Sequence, residues 1–383
     1  MILTIYIILS ILILSLIIQL GFYFIPYTAI LRRIRKIKKG NVPHSVEQPP
    51  VSVIICAKNE GDNLRRFLPL VLEQNYNDYE VIIVNDGSWD DTEKIIKDFQ
   101  NDYHNLYITN IPQDTRIISH KKLAITVGVK AAKNEILLFT DADCRPLTPD
   151  WITTMVRNFD DQTEFVLGHG NYYRERGFIS KLVSYDTLTI AMQYMGFALL
   201  GHPYMGVGRN MAYRRSTFFR LKGFAGFLHI ASGDDDLLIN AFGKKHNTRI
   251  EPSLDAQTLS IPKTTFRDWY YQKLRHLSTV DVYKSGSKMW IGLEPLSRGL
   301  FYITILLLLI FGYNNPIILA IAIGSFIFRF LIQFTIINLS AKAYNNKGFG
   351  LSIILFDILL PLVTLYILTI GKIFRRKAKF IWK

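Results

Sequence analysis

The uncharged stretch ILTIYIILSILILSLIIQLGFYF, directly after Met1, constrains this chain more than any other feature. A helix needs about 20 apolar residues to cross a bilayer, and this one has them. It has neither a basic start nor a small-residue cleavage site, so it reads as a retained anchor and not as a signal peptide. The run RRIRKIKK, Arg32 to Lys39, follows at once and holds six of the positive charges behind the net +14. Such a run can bind nucleic acid. Positives also collect on the cytoplasmic flank of membrane helices, and that reading fits its position. It puts the N-terminus outside and the rest of the body in the cytoplasm, with no nucleic-acid partner.

Apolar residues crowd again between Leu300 and Ile370, in segments near Leu300–Phe311, Pro316–Leu339 and Phe349–Ile370. Four crossings would leave the tail KIFRRKAKFIWK outside, yet its basic character keeps it inside. One segment is then a re-entrant or interfacial hairpin, or the anchor lies in the interface plane, and the count stands at three or four. Arg329 and Asp357 fall inside these segments, where charges face a protein interior or an aqueous path; snorkelling from a helix end would serve Arg329 equally. The two cysteines, Cys56 and Cys144, form no disulfide framework or paired zinc motif, which suits a reducing compartment.

The stretch between reads as one soluble body. VSVIICA is a strand, DNLRRFLPLVLEQ a helix with Asp62 as its N-cap, and EVIIVNDGS a second strand. DDTEKIIKDFQ is a helix, NLYITN a third strand, KKLAITVGVKAAK a helix, and EILLFTDAD a fourth strand. Apolar strands alternating with helices predict an α/β fold with a mainly parallel, doubly covered sheet. Ligands bind such sheets beyond the carboxyl ends of the strands. Three strands end there in polar clusters: Asn59-Glu60, Asn85-Asp86-Gly87-Ser88 and Asp141-Ala142-Asp143. Ordinary turns use the same residues, but three clusters on one edge point to a cleft. GVGRNM lacks the third glycine and the strand context of a dinucleotide fingerprint, and no phosphate-cradling P-loop occurs.

Each cluster has a chemistry. Asp141 and Asp143 are hard oxygen ligands suited to Mg²⁺ or Mn²⁺. Asp86 can accept hydrogen bonds from a base or ribose, or cap the helix starting near Asp90. SGDDDLLINAF sets Asp234, Asp235 and Asp236 before a helical pattern, as a charged helix start or as a general base whose pKa like charges raise. In YYQKLRHLST, Gln272, Arg275 and His276 share one helix face, and Arg275 could bind a diphosphate.

Taken in order, VSVIICAKNE, VIIVNDGSWDDT and HKKLAITVGVKAAKNEILLFTDADC resemble the family-two inverting glycosyltransferases, which carry a GT-A (Rossmann-like) catalytic domain. GDDDLL and QKLRH resemble the acid pair and the Gln-x-x-Arg-Trp motif of the membrane-embedded branch. The resemblance covers roughly Val51 to Ser278. It implies that Ala57, Glu60, Asp86 and Lys122 lie at the nucleotide, with Asp141 and Asp143 as the D-x-D metal site. It also implies that Asp235 is the general base, and that Asp234, Gln272, Arg275 and His276 lie near the diphosphate and acceptor. His276 stands where the family's synthases have Trp, which weakens the case for processive polymerisation.

The implied protein is a membrane-bound, Mg²⁺- or Mn²⁺-dependent hexosyltransferase using a nucleotide-sugar donor, a UDP-sugar, and a lipid-linked or glycan acceptor. Its setting is cell-envelope polysaccharide synthesis at a bacterial inner membrane, in contact with membrane lipids. A processive polysaccharide synthase and a catalytically silent nucleotide-sugar binder are the alternatives. The expected layout is an anchor at 1–30, a basic linker at 31–48, the catalytic domain at 49–285, an interfacial linker at 286–298, membrane segments at 299–371 and a basic tail at 372–383.

Overall fold

The computed structural model describes residues 2–112, 119–173 and 175–370, so the basic tail lies outside the described residues. The chain begins with α1 (Ile2–Phe22), a π-helical turn at Tyr23–Tyr27 and α2 (Thr28–Lys38). Pro26 lies inside the turn. Proline cannot donate to a helical ladder, so the wider turn forms where the anchor gives way to the basic helix.

The body then alternates β1 (Val51–Ala57), α3 (Gly61–Leu72), β2 (Tyr79–Asp86), α4 (Thr92–Asp102), β3 (Leu106–Ile111), α5 (His120–Ala131) and β4 (Ile136–Asp141). Next come β5 (Cys144–Pro146), α6 (Trp151–Val156), β6 (Phe165–Gly168), β7 (Gly170–Tyr172), α7 (Phe178–Leu199) and β8 (Met211–Arg214). It closes with α8 (Arg215–Arg220), α9 (Asp236–Phe242), β9 (Thr248–Glu251), β10 (Thr258–Ser260) and α10 (Phe266–Leu277).

Seven strands form the main sheet in the order β3-β2-β1-β4-β8-β6-β9. The half predicted from the apolar runs, β3-β2-β1-β4, is parallel throughout, with Ile54 opposite both Ile82 and Phe139. Every residue of β1 is buried, as a strand covered on both faces must be. The sheet is mainly parallel, as expected; in its other half β6 and β9 are parallel and only β8 runs antiparallel, to both β4 and β6. A three-stranded sheet, β5-β10-β7, stands beside the first.

Two helix starts differ in detail from the sequence reading. Glu60, not Asp62, is the cap residue of α3, and Asp62 sits in the first turn. At the next helix the cap residue is Asp91, and Asp90, not Asp86, bridges the two helix starts: it accepts from the backbone N–H of Thr92 in α4 at 3.1 Å and of Gly61 in α3 at 3.2 Å.

Among the described residues, four helices are long and apolar enough to cross a membrane: Leu3–Lys38, Ser285–Phe311 (α11), Pro316–Ala343 (α12) and Ser352–Thr369 (α13). The 286–298 stretch expected as an interfacial linker is the first half of α11. Arg329 and Asp357 pair at 2.8 Å inside the bundle, and Arg329 also donates to Gln19 of α1 at 2.8 Å. The body docks on the bundle through α7, where Gly196 meets the Pro26 carbonyl so closely that any Cβ would collide with it.

Candidate active site

Because β1, β2 and β4 are parallel, their last residues reach the same edge of the sheet. A cleft opens there with room for about 1550 Å³. Pockets for a single small ligand hold about 300–1,000 Å³, so this one can take two substrates together.

On the nucleotide side, Glu60 lines the cleft as expected. Burial pushes its carboxyl up to about 7, although a hydrogen bond from Asn63 opposes the shift. Ala57 does not line the cleft: it ends β1 with its methyl group in the core. Asp86 is only 2 % exposed. Lys58 Nζ donates to one of its oxygens at 3.0 Å, and His120 Nδ1 lies 3.2 Å from the other. Lys58 and His120, which the sequence reading missed, are the groups that Asp86 shows to the cleft.

The lysine assignment is corrected by one position. Lys122 is fully buried, and its ammonium donates to the carbonyls of Phe227, Ile230 and Ser232 at 2.7–2.8 Å. It pins the loop ahead of the triple acid. Lys121 is the residue in the cleft, 3.0 Å from Asp141 and 3.4 Å from Asp234. Adjacent helical residues point about 100° apart, and KK in the sequence does not say which one faces the ligand.

Asp141 and Asp143 come together, with ligand atoms of Asp141, Asp143 and Cys144 all within 4.8 Å of one another. Burial alone would raise the Asp141 carboxyl, but the adjacent Lys121 ammonium outweighs it and holds the pKa below the usual range. Asp143 accepts from Ser260 Oγ at 3.1 Å. Burial, with the two carboxylates beside it, keeps the Cys144 thiol protonated well above its ordinary pKa. The oxygen pair therefore fits a hard divalent cation, and the thiol packs behind it.

The three consecutive acids have three different settings. Asp234 faces Lys121. Asp236 is buried and takes the hydroxyls of Thr279 and Tyr283. Asp235 is at once a helix cap and a cleft residue: one oxygen accepts from the Asp236 N–H at 2.8 Å, the other from the Gly208 N–H at 2.8 Å. Burial, with Asp234 and Asp236 beside it, pushes its pKa up to about 7. That is the range of a general base working at neutral pH.

Helix α10 closes the cleft with Gln272, Arg275 and His276 on its lining face. Gln272 donates to the Tyr172 hydroxyl at 2.9 Å, as does Arg209 at 2.9 Å, whose guanidinium lies 4.4 Å from the centre of the same ring. Arg209 passes over Gly170, where a Cβ would fall 2.7 Å from its Cγ. His276 opens onto the cleft, but the protein around it desolvates its ring, and Arg275 and Arg209 add like charge. Its pKa is held well below the ordinary imidazole value. Lys273, one residue on from Gln272, pairs with Asp186 of α7 at 2.8 Å, and both line the same cavity. Arg209 lies in GVGRNM, whose Gly-rich backbone permits close approach to the cleft. Its place depends on β7 and β8, which the sequence reading did not anticipate.

Residues 52–220 match the family described as Glycosyl transferase family 2. Among curated proteins, the chain is 38% identical over 100 residues to Glycosyltransferase AglE of Haloferax volcanii, covering 26% of this chain and 32% of that one. It is 31% identical over 139 residues to the Escherichia coli UDP-Glc:alpha-D-GlcNAc-diphosphoundecaprenol beta-1,3-glucosyltransferase WfaP, covering 34% and 48%. The chain thus spans less than half the length of these relatives. Among solved structures, a mannosyltransferase from Pyrobaculum calidifontis, in complex with GDP-Man and Mn²⁺, superposes with a TM-score of 0.53 at 17% identity, over 87% of this chain and 99% of that one. That likeness is one of fold. The parallel sheet edge, the acids gathered on it and the match agree: residues 52–220, just under half of the chain, match glycosyl transferase family 2, and the body is folded as a GT-A domain.

Proposed function

We propose that the chain is a membrane-bound inverting glycosyltransferase that moves a hexose from a UDP-sugar to the hydroxyl of a lipid-linked or glycan acceptor. The observation that carries this reading is the single cleft that joins Glu60, Asp141, Asp143, Asp235 and Arg275 and continues to the membrane helices. Asp235 takes the proton from the acceptor hydroxyl. The freed oxygen attacks the anomeric carbon from the face opposite the diphosphate, so the configuration inverts. Arg275, with Arg209 and Lys121, lies where charge develops on the departing diphosphate. Asp141 and Asp143 would hold Mg²⁺ or Mn²⁺, which supplies further counter-charge to that group. The body lies on the cytoplasmic side, as the basic α2 implies.

The test is a panel of UDP-, GDP- and dTDP-sugars with Mn²⁺, read as release of the nucleoside diphosphate and as labelled product. A UDP-sugar is expected to turn over, with wild-type release lost in Asp143→Asn. Binding without release from any donor would support a silent binder. Products of many added sugars would favour the processive synthase.

A further inference from the structure

The cavity that starts at the sheet edge does not end within the GT-A body. It runs on between α7, α11 and α13, where Ile190, Ile291, Pro295, Leu360, Pro361 and Thr364 form its wall. The lining differs between body and bundle. Carboxylates line the sheet edge, while the walls from α7, α11 and α13 carry these largely apolar side chains, and the ion pairs Asp186–Lys273 and Glu294–Arg298 lie in the same lining. Arg298 is 12 % exposed. Its terminal nitrogens are held by Glu294 and Asp357, while its buried Nε has no hydrogen-bond partner. The opposite face of α13, with Leu355, Leu362 and Leu365, is exposed and apolar, as a lipid-facing surface would be. A nucleotide, or a glycan alone, would leave polar groups unsatisfied against the apolar side chains of that wall. A hydrocarbon chain would gain there with each methylene it buries.

We propose that this extension seats the lipid of the acceptor: a single-chain amphiphile whose hydroxyl-bearing head reaches toward Asp235 and whose chain lies between α7, α11 and α13. The inference deepens the transferase reading and rests on it only for the destination of the head.

The test uses the full chain in phosphatidylcholine nanodiscs, photolabelled with dodecyl phosphate and with dodecyl β-glucoside, each carrying a diazirine on its chain. Labelled peptides are located by mass spectrometry. The label is expected on the α7, α11 and α13 wall, competed by the unlabelled amphiphile but not by inorganic phosphate or glucose. Whichever amphiphile competes identifies the head as phosphate-borne or glycosidic. Thr364→Trp and, separately, Ile190→Trp are expected to lower wall labelling at least tenfold while Mn²⁺-dependent UDP binding persists, which also shows that the variants fold. Uncompeted label spread over outward residues such as Leu14 and Ile327, or wall label unchanged in both variants, overturns the proposal. Specific wall labelling without UDP binding would instead sink the transferase reading and leave the lipid seat standing.

Discussion

Asp235→Asn separates the chemistry of the cleft from its architecture. The amide keeps the shape of the carboxylate but cannot take a proton. General-base catalysis contributes roughly 10²–10⁴-fold, so transfer should fall by that factor, about 3–5 kcal/mol of barrier. Folding should suffer little. One of the two backbone N–H groups now held by Asp235 loses its acceptor, a cost of about 1–2 kcal/mol. Removing a charge that the fold disfavours offsets it. The sign follows from the raised pKa. Between the unfolded value near 4 and the folded value of about 7, the native state binds the proton more tightly, so ionising Asp235 lowers stability as pH rises through that window. The melting temperature of the variant at pH 8 should therefore stay near the wild type. In the wild type, a base titrating at about 7 is roughly one-tenth ionised at pH 6 and nine-tenths at pH 8, so turnover should rise about tenfold across that span. The assay is transfer of radiolabelled sugar in detergent or nanodiscs, beside UDP binding and thermal melting. Wild-type turnover in Asp235→Asn, or a flat profile from pH 6 to 8 in the wild type, would refute the base assignment.

Four further predictions test the rest of the site and its setting. Asp143→Asn should weaken Mn²⁺ uptake and Mn²⁺-dependent UDP binding at least tenfold by calorimetry, and chelation should reproduce the effect in the wild type; unchanged metal binding would remove the D-x-D assignment. Lys122→Met strips the donor from three carbonyls and should cost about 3 kcal/mol in denaturant unfolding. Lys121→Met should instead move the pH at which Mn²⁺ binds upward, because Lys121 is what holds the Asp141 carboxyl low. Single cysteines at Lys347 and Thr369 should react with an impermeant maleimide from the side of the body, and one at Asn314 from the opposite side. Labelling of Thr369 together with Asn314 would make α13 a crossing.

That last prediction meets the point where sequence and structure differ most usefully. The parallel edge was legible because four short apolar runs, each ending in polar residues, can hardly form anything else, and the acids at their ends follow from strand direction. What hydropathy could not see was pairing at a distance. MAYR is too short to announce a strand until β4 and β6 are in place on either side of it. Glu294 and Arg298, in the first half of α11, neutralise each other one turn apart. Arg329 and Asp357 likewise meet only once two helices are packed. The charge of the tail, by contrast, was informative, since it conflicted with four crossings. Packing indicates which segment gives way. α1, α11 and the start of α12 share a cluster of Ile8, Leu12, Phe301, Ile305, Leu308, Ile318 and Ala322, to which α13 contributes none of its described buried residues. α13 touches the body along its length: Phe356 lies 5.5 Å from Phe178 of α7, and Tyr366 lies 6.2 Å from Tyr270 of α10. We propose that a helix held to the body near both ends lies along the membrane surface and does not cross. On that proposal three helices cross, as the basic charge of the tail favours, and labelling of Thr369 from the side of the body is the result that supports it.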